Sequence, residues 1–169
     1  MKPVESNLFA GPDRQRLVVI GNGMVGARFH AVRHESPAEE PDADYPLYLT
    51  TGRVMSQYQS GTQTRRVAQL ARLAPEPVAE INPHAARRAG IADGTLVTLT
   101  TRRGTSTARA KLTRDIREDT VFVPFHWGGA ASVNRLTNPA LDPTSRMPEF
   151  KVCAVRIEPQ SERTGAKSA

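Results

Sequence analysis

The sequence predicts a mainly β fold: a small β-barrel with short helices inserted between its strands. Several short segments show the alternation of apolar and polar residues that is typical of strands. The helical segments between them are short, and strands and helices do not alternate in the regular rhythm of βαβ units. A chain of 169 residues has room for one such domain with extensions at its ends.

The first predicted strand is short and apolar, at residues 47–49, and a polar loop follows it. Residues 64–73 then place apolar side chains at helical spacing, which predicts the first helix. Pro75 and Pro77 end that helix, because proline lacks a backbone N–H and clashes with the preceding turn. A second strand is predicted over residues 78–81, where the next apolar segment lies.

The second helix has a signal at each end. Asn82 is predicted to cap its first turn, Pro83 suits its first position, and Gly90 ends it. Two alternating segments follow, at residues 96–99 and 106–112. A glycine-containing turn separates them, so they are predicted to pair as a hairpin.

Two further strands complete the predicted barrel, at residues 120–125 and 151–157. Cys153 alternates within the last strand, so we interpret it as a small core residue and not as a metal ligand. The segment between these strands, residues 126–150, shows little secondary structure of its own. A loop of that length inside a small domain is typical of a functional loop.

Two polar loops therefore flank the predicted barrel. The first, residues 50–64, is almost free of aliphatic side chains and contains Gly52, Arg53 and Gly61. Glycine lets backbone N–H groups approach a ligand closely, and arginine can hold a phosphate through two hydrogen bonds. The second, residues 126–150, has a similar mixture of glycine, asparagine and hydroxyl side chains. Both indicate an anionic or sugar-bearing ligand, although simple solvated loops are the alternative.

Composition narrows the classes of function. The net charge of +6 favours contacts with nucleic acid or a phosphate-bearing cofactor. Nucleic acid is weakly supported, because aromatic residues make up only 5% and do not interleave with the basic residues. No apolar run is long enough to span a membrane, and the first residues do not resemble a signal peptide. The single cysteine excludes an internal disulfide bond. We therefore expect a cytoplasmic protein.

Residues 16–26 read RLVVIGNGMVG, an apolar strand leading into Gly21, Gly23 and Gly26. This is the glycine spacing of a dinucleotide-binding turn, and it resembles the start of the flavin domain in the large subunit of assimilatory nitrite reductases. Such a turn requires a second strand that ends in an acidic residue. Here a proline- and acid-rich segment, residues 36–46, follows instead. We interpret the motif as a truncated remnant.

From about Asp44 to Pro159 the chain resembles the C-terminal molybdopterin-dinucleotide-binding domain of molybdenum oxidoreductases. These include nitrate reductases, formate dehydrogenases and dimethyl sulfoxide reductase. Four motifs occur in the family's order: LTTGRVMSQYQSGTQTRR, INP, NRLTNPALDP and PEFKVCAVRIEP. The first is similar to assimilatory nitrate reductases. The resemblance implies a six-stranded double-psi β-barrel.

The resemblance also implies a cofactor and its contacts. The cofactor is bis(molybdopterin guanine dinucleotide), Mo-bis-MGD, which this domain would bind and cap. The implied contacts are Thr51, Gly52, Arg53, Val54, Met55, Ser56, Gln57, Tyr58, Gln59, Ser60, His126, Asn134 and Lys151. Arg53 and Lys151 suit anionic groups, and Asn134 suits the edge of a heterocycle.

Three regions are therefore expected: an N-terminal extension over residues 1–43, the barrel domain over 44–159, and a disordered tail over 160–169. The family's iron–sulfur cysteines and molybdenum ligand belong to upstream domains that these residues do not match. We expect the chain to work with those domains or with a separate subunit of a nitrate reductase, without nucleic acid or membrane, and not to be catalytic alone. Two alternatives stay open: a flavin- or nicotinamide-binding remnant built on GNGMVG, and a small basic β-barrel that binds nucleic acid or a protein partner.

Overall fold

Six strands close into a barrel in the computed structural model, which describes residues 34–160. The strands are β1 (Leu47–Gly52), β2 (Val78–Ile81), β3 (Leu96–Thr101), β4 (Gly104–Leu112), β5 (Thr120–Pro124) and β6 (Cys153–Pro159). Two short helices accompany them, α1 (Ala68–Ala71) and α2 (Pro83–Arg88), with 3₁₀ turns at Thr64–Arg66, Gly129–Ala131 and Val133–Arg135. The prediction of a mainly β fold, a six-stranded double-psi β-barrel, is confirmed.

The order of the strands around the barrel is β1, β5, β2, β4, β3 and β6, with β6 pairing back onto β1. Two neighbouring pairs are parallel, β1 with β5 and β2 with β4, and the other pairs are antiparallel. In the first parallel pair Leu49 lies opposite Val121, and Gly52 lies opposite Pro124. The carboxyl ends of β1 and β5 therefore meet at one end of the barrel, and their following loops emerge side by side.

The barrel interior is filled by the inward-facing side chains that the alternation predicts. The largest of these that are almost fully buried include Leu49, Ile81, Val97, Leu99, Val121, Val123 and Val155. Cys153 lies in the same core, as predicted, with its Sγ 3.4 Å from the carbonyl oxygen of Leu136. Burial raises the pKa of the Cys153 thiol to about 11. This group is therefore a neutral core side chain at physiological pH.

Helix α2 agrees with its prediction, whereas α1 is shorter than predicted. The side chain of Asn82 accepts a hydrogen bond from the amide of His84 at 2.9 Å, and Gly90 has a positive φ of 66°, so α2 has its predicted ends. The helix predicted over residues 64–73 is much shorter, because Val67 is extended and separates a 3₁₀ turn from α1. Its apolar side chains are exposed, so no packing stabilises a longer helix. Within residues 34–160 no helix is long and apolar enough to cross a membrane.

The proline- and acid-rich segment before β1 is attached to the barrel. The Glu39 carboxylate accepts hydrogen bonds from the guanidinium groups of Arg102 and Arg103 and from the amide of Ala154. The Arg102 guanidinium also lies 4.7 Å from the ring centroid of Tyr45. These contacts begin before residue 44, where the sequence places the start of the domain. The glycine motif of residues 21–26 lies outside the described residues.

The Glu39 network predicts a pH-dependent contribution to stability. Burial alone would raise the pKa of Glu39, but the hydrogen bonds from Arg103, Ala154 and Arg102 and the charge of Arg103 lower it below its usual value. A carboxylate with a lowered pKa stabilises the fold at neutral pH, and this contribution disappears as the pH falls through the pKa of the folded state. Glu39→Gln should lower the free energy of unfolding by about 1–2 kcal/mol at pH 7.

The measurement is urea unfolding between pH 7 and pH 3. The difference between the wild type and Glu39→Gln should shrink toward zero at the acidic end. Asp44→Asn is the matched control, since it makes a similar change at an exposed position of the same segment. Equal losses of stability in the two variants at pH 7 would show that the hydrogen bonds of Glu39 do not stabilise the fold.

Candidate functional site

The loops after β1 and β5 enclose a cleft of about 360 Å³ at their end of the barrel. It is lined by Thr51, Ser60, Phe125, Val133, Asn134, Thr137 and Phe150. Three of these, Thr51, Ser60 and Asn134, are among the predicted contacts. Gly52 ends β1 close to the aromatic ring of Phe122, where an added Cβ would lie 2.5 Å from a ring carbon. A side chain at Gly52 would therefore require the ring of Phe122 to move.

His126 holds the first loop in place. Its side chain is almost fully buried, and its Nε2 accepts a hydrogen bond from the amide of Val54 at 2.9 Å. Its Nδ1 donates to the carbonyl oxygen of Gln59, which has a positive φ of 48°. One donor and one acceptor are what a neutral imidazole offers. The predicted contact His126 therefore uses both ring nitrogens to bind the loop.

Arg65 joins the two loops from outside the predicted set. Its guanidinium donates to the carbonyl oxygen of His126 at 2.8 Å and to that of Ser60 at 2.9 Å. Gly61, with φ of 72°, lies so close that an added Cβ would collide with this guanidinium. Glycine at 61 is thus required both by the backbone and by the position of Arg65.

Gln57 ties the same loop to the segment after α1. Its side chain is buried and donates to the carbonyl oxygen of Ala74 at 3.0 Å. The neighbouring amide, that of Tyr58, donates to the hydroxyl of Thr64 at 2.9 Å. Gln57 therefore stabilises the loop, and its side chain does not line the cleft.

The two cationic side chains among the predicted contacts, Lys151 and Arg53, lie beside the cleft. The Lys151 ammonium donates to the carbonyl oxygen of Thr51 at 2.7 Å and lies 5.4 Å from the ring centroid of Phe150. The Arg53 guanidinium lies 5.8 Å from the ring centroid of Phe125. Each cation thus contacts a residue of the cleft wall. An ammonium has three donors, so Lys151 can bind an anion while keeping its bond to Thr51.

Asn134 is exposed within the cleft wall, and its amide makes no hydrogen bond to any residue of 34–160. It belongs to the 3₁₀ turn Val133–Arg135, whose first side chain is buried. The carbonyl oxygen of Leu136, just beyond the turn, accepts hydrogen bonds from the side chains of Thr101 and Arg103. Asn134 is therefore a free amide on a turn that the barrel holds in place.

The remaining predicted contacts lie elsewhere on the loop. Met55 and Tyr58 are exposed, with 108% and 68% relative accessibility. Val54 and Ser56 line a second cleft of about 290 Å³, which is also lined by Trp127. The structure thus brings together only part of the predicted set at the first cleft.

Four residues of the first cleft are not among the predicted contacts: Phe125, Val133, Thr137 and Phe150. The last three lie within the second predicted loop, residues 126–150. Phe125 directly precedes His126, and Phe150 directly precedes Lys151. An aromatic residue at the junction of a strand and a polar loop was the available signal, because such a ring can cover the rim of a binding site.

The donor set fits a ligand that is anionic and carries a planar heterocycle. Hydroxyl groups, one free amide and two cations offer hydrogen bonds and charge, and two phenyl rings offer apolar contact. Among the described residues no group of three or more His, Cys, Asp or Glu side chains could hold a metal ion. The arrangement can bind and orient such a ligand.

Comparison with known proteins identifies the family. Residues 47–154 match the family described as "Molydopterin dinucleotide binding domain". The chain belongs to this family. The matched range runs from the first residue of β1 into β6 and includes both loops of the site.

The family's curated members that resemble this chain are much longer proteins. The assimilatory nitrate reductase catalytic subunit of Bacillus subtilis (strain 168) is 56% identical over 123 residues, which cover 73% of this chain and 17% of the relative. The F420-dependent formate dehydrogenase subunit alpha of Methanocaldococcus jannaschii is 49% identical over 127 residues, covering 75% of this chain and 19% of the relative. The chain therefore spans less than a fifth of the length of these two relatives.

A solved structure supports the fold of this domain family. Acetylene hydratase from Pelobacter acetylenicus matches with a TM-score of 0.61 at 21% identity, over 69% of this chain and 19% of that one. At this identity the likeness concerns the barrel fold alone. It shows that the barrel described here also occurs within a much longer chain.

The hydrogen bonds of His126 predict the effect of removing them. His126→Phe keeps an aromatic ring of similar size but leaves the partly buried Val54 amide and Gln59 carbonyl without partners. The free energy of unfolding should fall by about 2–4 kcal/mol. Amide hydrogen exchange at Val54 should become much faster, as measured by NMR.

His84→Phe is the matched control, because His84 is exposed on α2 and its side chain has, within residues 34–160, only a 3.8 Å contact with Glu118. It should change stability by less than about 0.5 kcal/mol. Unchanged exchange at Val54 in the His126→Phe protein would show that the imidazole does not hold the loop.

Proposed function

We propose that this chain binds and caps a bis(molybdopterin guanine dinucleotide) cofactor as the cofactor-binding part of a molybdenum nitrate reductase. The observation that carries the proposal is the cleft between the two loops, which has a free amide, hydroxyl groups and two adjoining cations. Family membership supports a molybdopterin dinucleotide as the ligand. The guanine form and nitrate as the substrate of the whole protein are the finer parts of the proposal.

Nitrate is favoured by the relative that is 56% identical, an assimilatory nitrate reductase. The formate dehydrogenase relatives share the same region at 41–49% identity. A domain that holds the nucleotide end of a cofactor does not itself choose the substrate, which explains why both classes match. A cytoplasmic role in nitrate assimilation belongs to the same proposal.

Different residues at the cleft would bind different parts of the cofactor. Arg53 and Lys151 would meet phosphate oxygens, because each is cationic and each contacts the cleft wall. Asn134 would pair with the edge of the guanine base, since its amide has a donor and an acceptor free within the described residues. Once bound, the cofactor supplies the redox-active metal for oxygen-atom transfer. The protein supplies orientation and electrostatics.

The rest of such an enzyme would come from upstream domains or a separate subunit. The curated relatives are long enough to contain them, since the matched region covers 17–20% of their length. The chain is accordingly proposed as one part of an oxidoreductase, inactive without the others.

Lys151 and Asn134 should contribute differently to cofactor retention. In an intact reductase carrying this domain, Lys151→Ala should remove a charge-assisted hydrogen bond of about 1.5–3 kcal/mol, and Asn134→Ala a neutral one of about 1 kcal/mol. Molybdenum content should fall more in the first variant, and added salt should deepen that defect only.

Circular dichroism is the folding check for both variants, because Lys151 and Asn134 are exposed and lie outside the strands. Arg87→Ala, an exposed arginine on α2, is the charge-matched control and should keep full molybdenum content. Full molybdenum loading of the Lys151→Ala enzyme would remove that residue from the site.

The purified chain should bind guanine nucleotide weakly. It holds only part of the proposed site, and each contact must offset the entropy lost on binding, so we expect a Kd for GDP in roughly the millimolar range. Binding of ADP should be weaker still, because its base edge does not match an amide positioned for guanine. Calorimetry measures both. Submicromolar binding, or equal affinity for GDP and ADP, would contradict this description of the site.

A further inference from the structure

The turn between β3 and β4 lies directly against the 3₁₀ turn that carries Asn134. Gly104 approaches it so closely that an added Cβ would lie 3.1 Å from the backbone carbonyl oxygen of Arg135. The backbone of Gly104 is not left-handed, so this close approach is what calls for glycine. An alanine here would fit only if the turn that carries Asn134 moved.

Arg103, the residue before this glycine, binds the same turn through its guanidinium group. Its Nε and Nη2 donate to the carbonyl oxygen of Leu136 at 3.2 Å and 3.0 Å. The hydroxyl of Thr101 donates to the same oxygen at 3.0 Å. Leu136 in turn closes the 3₁₀ turn, because its amide donates to the carbonyl oxygen of Val133 at 2.8 Å. The β3–β4 turn therefore holds the backbone on which Asn134 lies.

The other edge of the Arg103 guanidinium binds Glu39, in the segment before β1. Its Nη1 donates to one oxygen of this carboxylate, and its Nη2 donates to the other at 3.3 Å. A planar guanidinium presents its donors in fixed directions, so it can serve the carboxylate and the Leu136 carbonyl at the same time. Glu39 therefore fixes the orientation in which Arg103 meets the turn.

The segment before β1 binds the second loop at another place as well. The amide of Ala38 donates to the carboxylate of Glu149 at 3.0 Å, and the side-chain amide of Asn138 donates to the same carboxylate at 3.3 Å. The side-chain oxygen of Asn138 also accepts a hydrogen bond from the amide of Ala140 at 2.9 Å. Two adjacent residues thus hold the second loop, Ala38 directly and Glu39 through Arg103.

Arg102 binds the same carboxylate but does not reach the turn. Its guanidinium donates to Glu39 at 2.7 Å and also to the carboxylate of Asp42. Within residues 34–160 it makes no hydrogen bond to the segment from Val133 to Leu136. Arg102 and Arg103 therefore share a charge and an anchor, and differ in their contact with the turn.

The position of this turn matters for base recognition. An amide selects a base only when its donor and acceptor are held in a fixed direction, because hydrogen bonds weaken steeply with misalignment. Asn134 is exposed in the cleft wall, and no hydrogen bond within residues 34–160 holds its side chain. Its direction therefore depends on the turn, and the turn is bound by Arg103. Arg103 does not itself line the cleft.

We propose that Arg103 is a positioning residue of the cleft, which fixes the turn of Asn134 so that its amide meets the edge of a guanine base. Glu39 keeps Arg103 in the required orientation. The identity of the ligand rests on the proposed function, whereas the position of Asn134 does not. Preference for guanine over adenine thus depends on two residues that lie outside both polar loops.

The first test compares Arg103→Ala with Arg102→Ala in the full chain without ligand, by NMR. Both substitutions remove an arginine and one partner of Glu39, but only Arg103→Ala releases the carbonyl oxygen of Leu136. In Arg103→Ala the side-chain amide signals of Asn134 should shift, and the backbone amide of Leu136 should exchange with solvent about tenfold faster. Arg102→Ala should leave both unchanged.

Titrations of the same proteins with GDP and with ADP give the functional readout. In Arg103→Ala the Kd for GDP should rise roughly fivefold, which is the contribution of one neutral hydrogen bond. The Kd for ADP should change little, so the preference for GDP should disappear. Arg102→Ala should keep the wild-type preference. A loss of stability alone would not produce this difference, because the ratio of two affinities in one protein does not depend on the fraction that is folded.

Gly104→Ala tests the same position without removing a charge or a donor, and it serves where Arg103→Ala does not fold. Its Cβ would displace the carbonyl of Arg135 and the turn with it. The Asn134 signals should again shift and the preference for GDP should fall. Gly128→Ala is the matched control, because an added Cβ there meets no atom within 4 Å and its φ is −109°. It should change neither readout.

Two outcomes would remove Arg103 from this role: unchanged Asn134 signals or an unchanged preference for GDP in Arg103→Ala and Gly104→Ala, or equal effects of Arg102→Ala and Arg103→Ala. The second would make both arginines parts of a stabilising network only. If the wild-type chain bound neither nucleotide, the proposed cofactor function would fail. The ligand-free signals of Asn134 and the exchange of the Leu136 amide would then still decide whether Arg103 positions the turn.

Discussion

The imidazole of His126 is the contact on which the geometry of the site depends. It binds the amide of Val54 and the carbonyl oxygen of Gln59, and so attaches the loop after β1 to the loop after β5. The parallel pairing of β1 and β5 makes this possible, because it brings residues 72 positions apart to the same end of the barrel. Arg65 adds a second connection to the backbone of His126. Together these contacts hold Ser60, which lines the cleft, beside the loop after β5.

The sequence predicts the strands well, because alternation records which side chains face the core. Residues 78–81 are the same in prediction and structure, and Asn82 caps α2 as predicted. The circular order of the strands depends on contacts between distant residues, which local patterns do not record; there the family resemblance supplied the double-psi topology. The helix predicted over 64–73 is shorter in the structure, because its larger apolar side chains are exposed and Val67 is extended.

At the site, composition identified both polar loops, but the role of each side chain depends on the fold. The family resemblance placed His126 and Gln57 among the ligand contacts. Their partners, the Gln59 carbonyl and the Ala74 carbonyl, show that their polar atoms bind the protein itself. Phe125 lies just after the end of β5, and the carbonyl oxygen of Phe150 accepts a hydrogen bond from Thr51, so both rings reach the cleft only through the fold. A single sequence does not show that neighbourhood.

The Glu39 network has a consequence for the synthesis of the chain on the ribosome. Its carboxylate leaves the ribosome early, whereas one of its donors, the amide of Ala154, lies near the end of the domain. The first strand likewise pairs only with β5 and β6. Strand β1 must therefore wait unpaired until β5 and then β6 have been translated. During that interval the exposed edges of β1 are open to aggregation or to a chaperone.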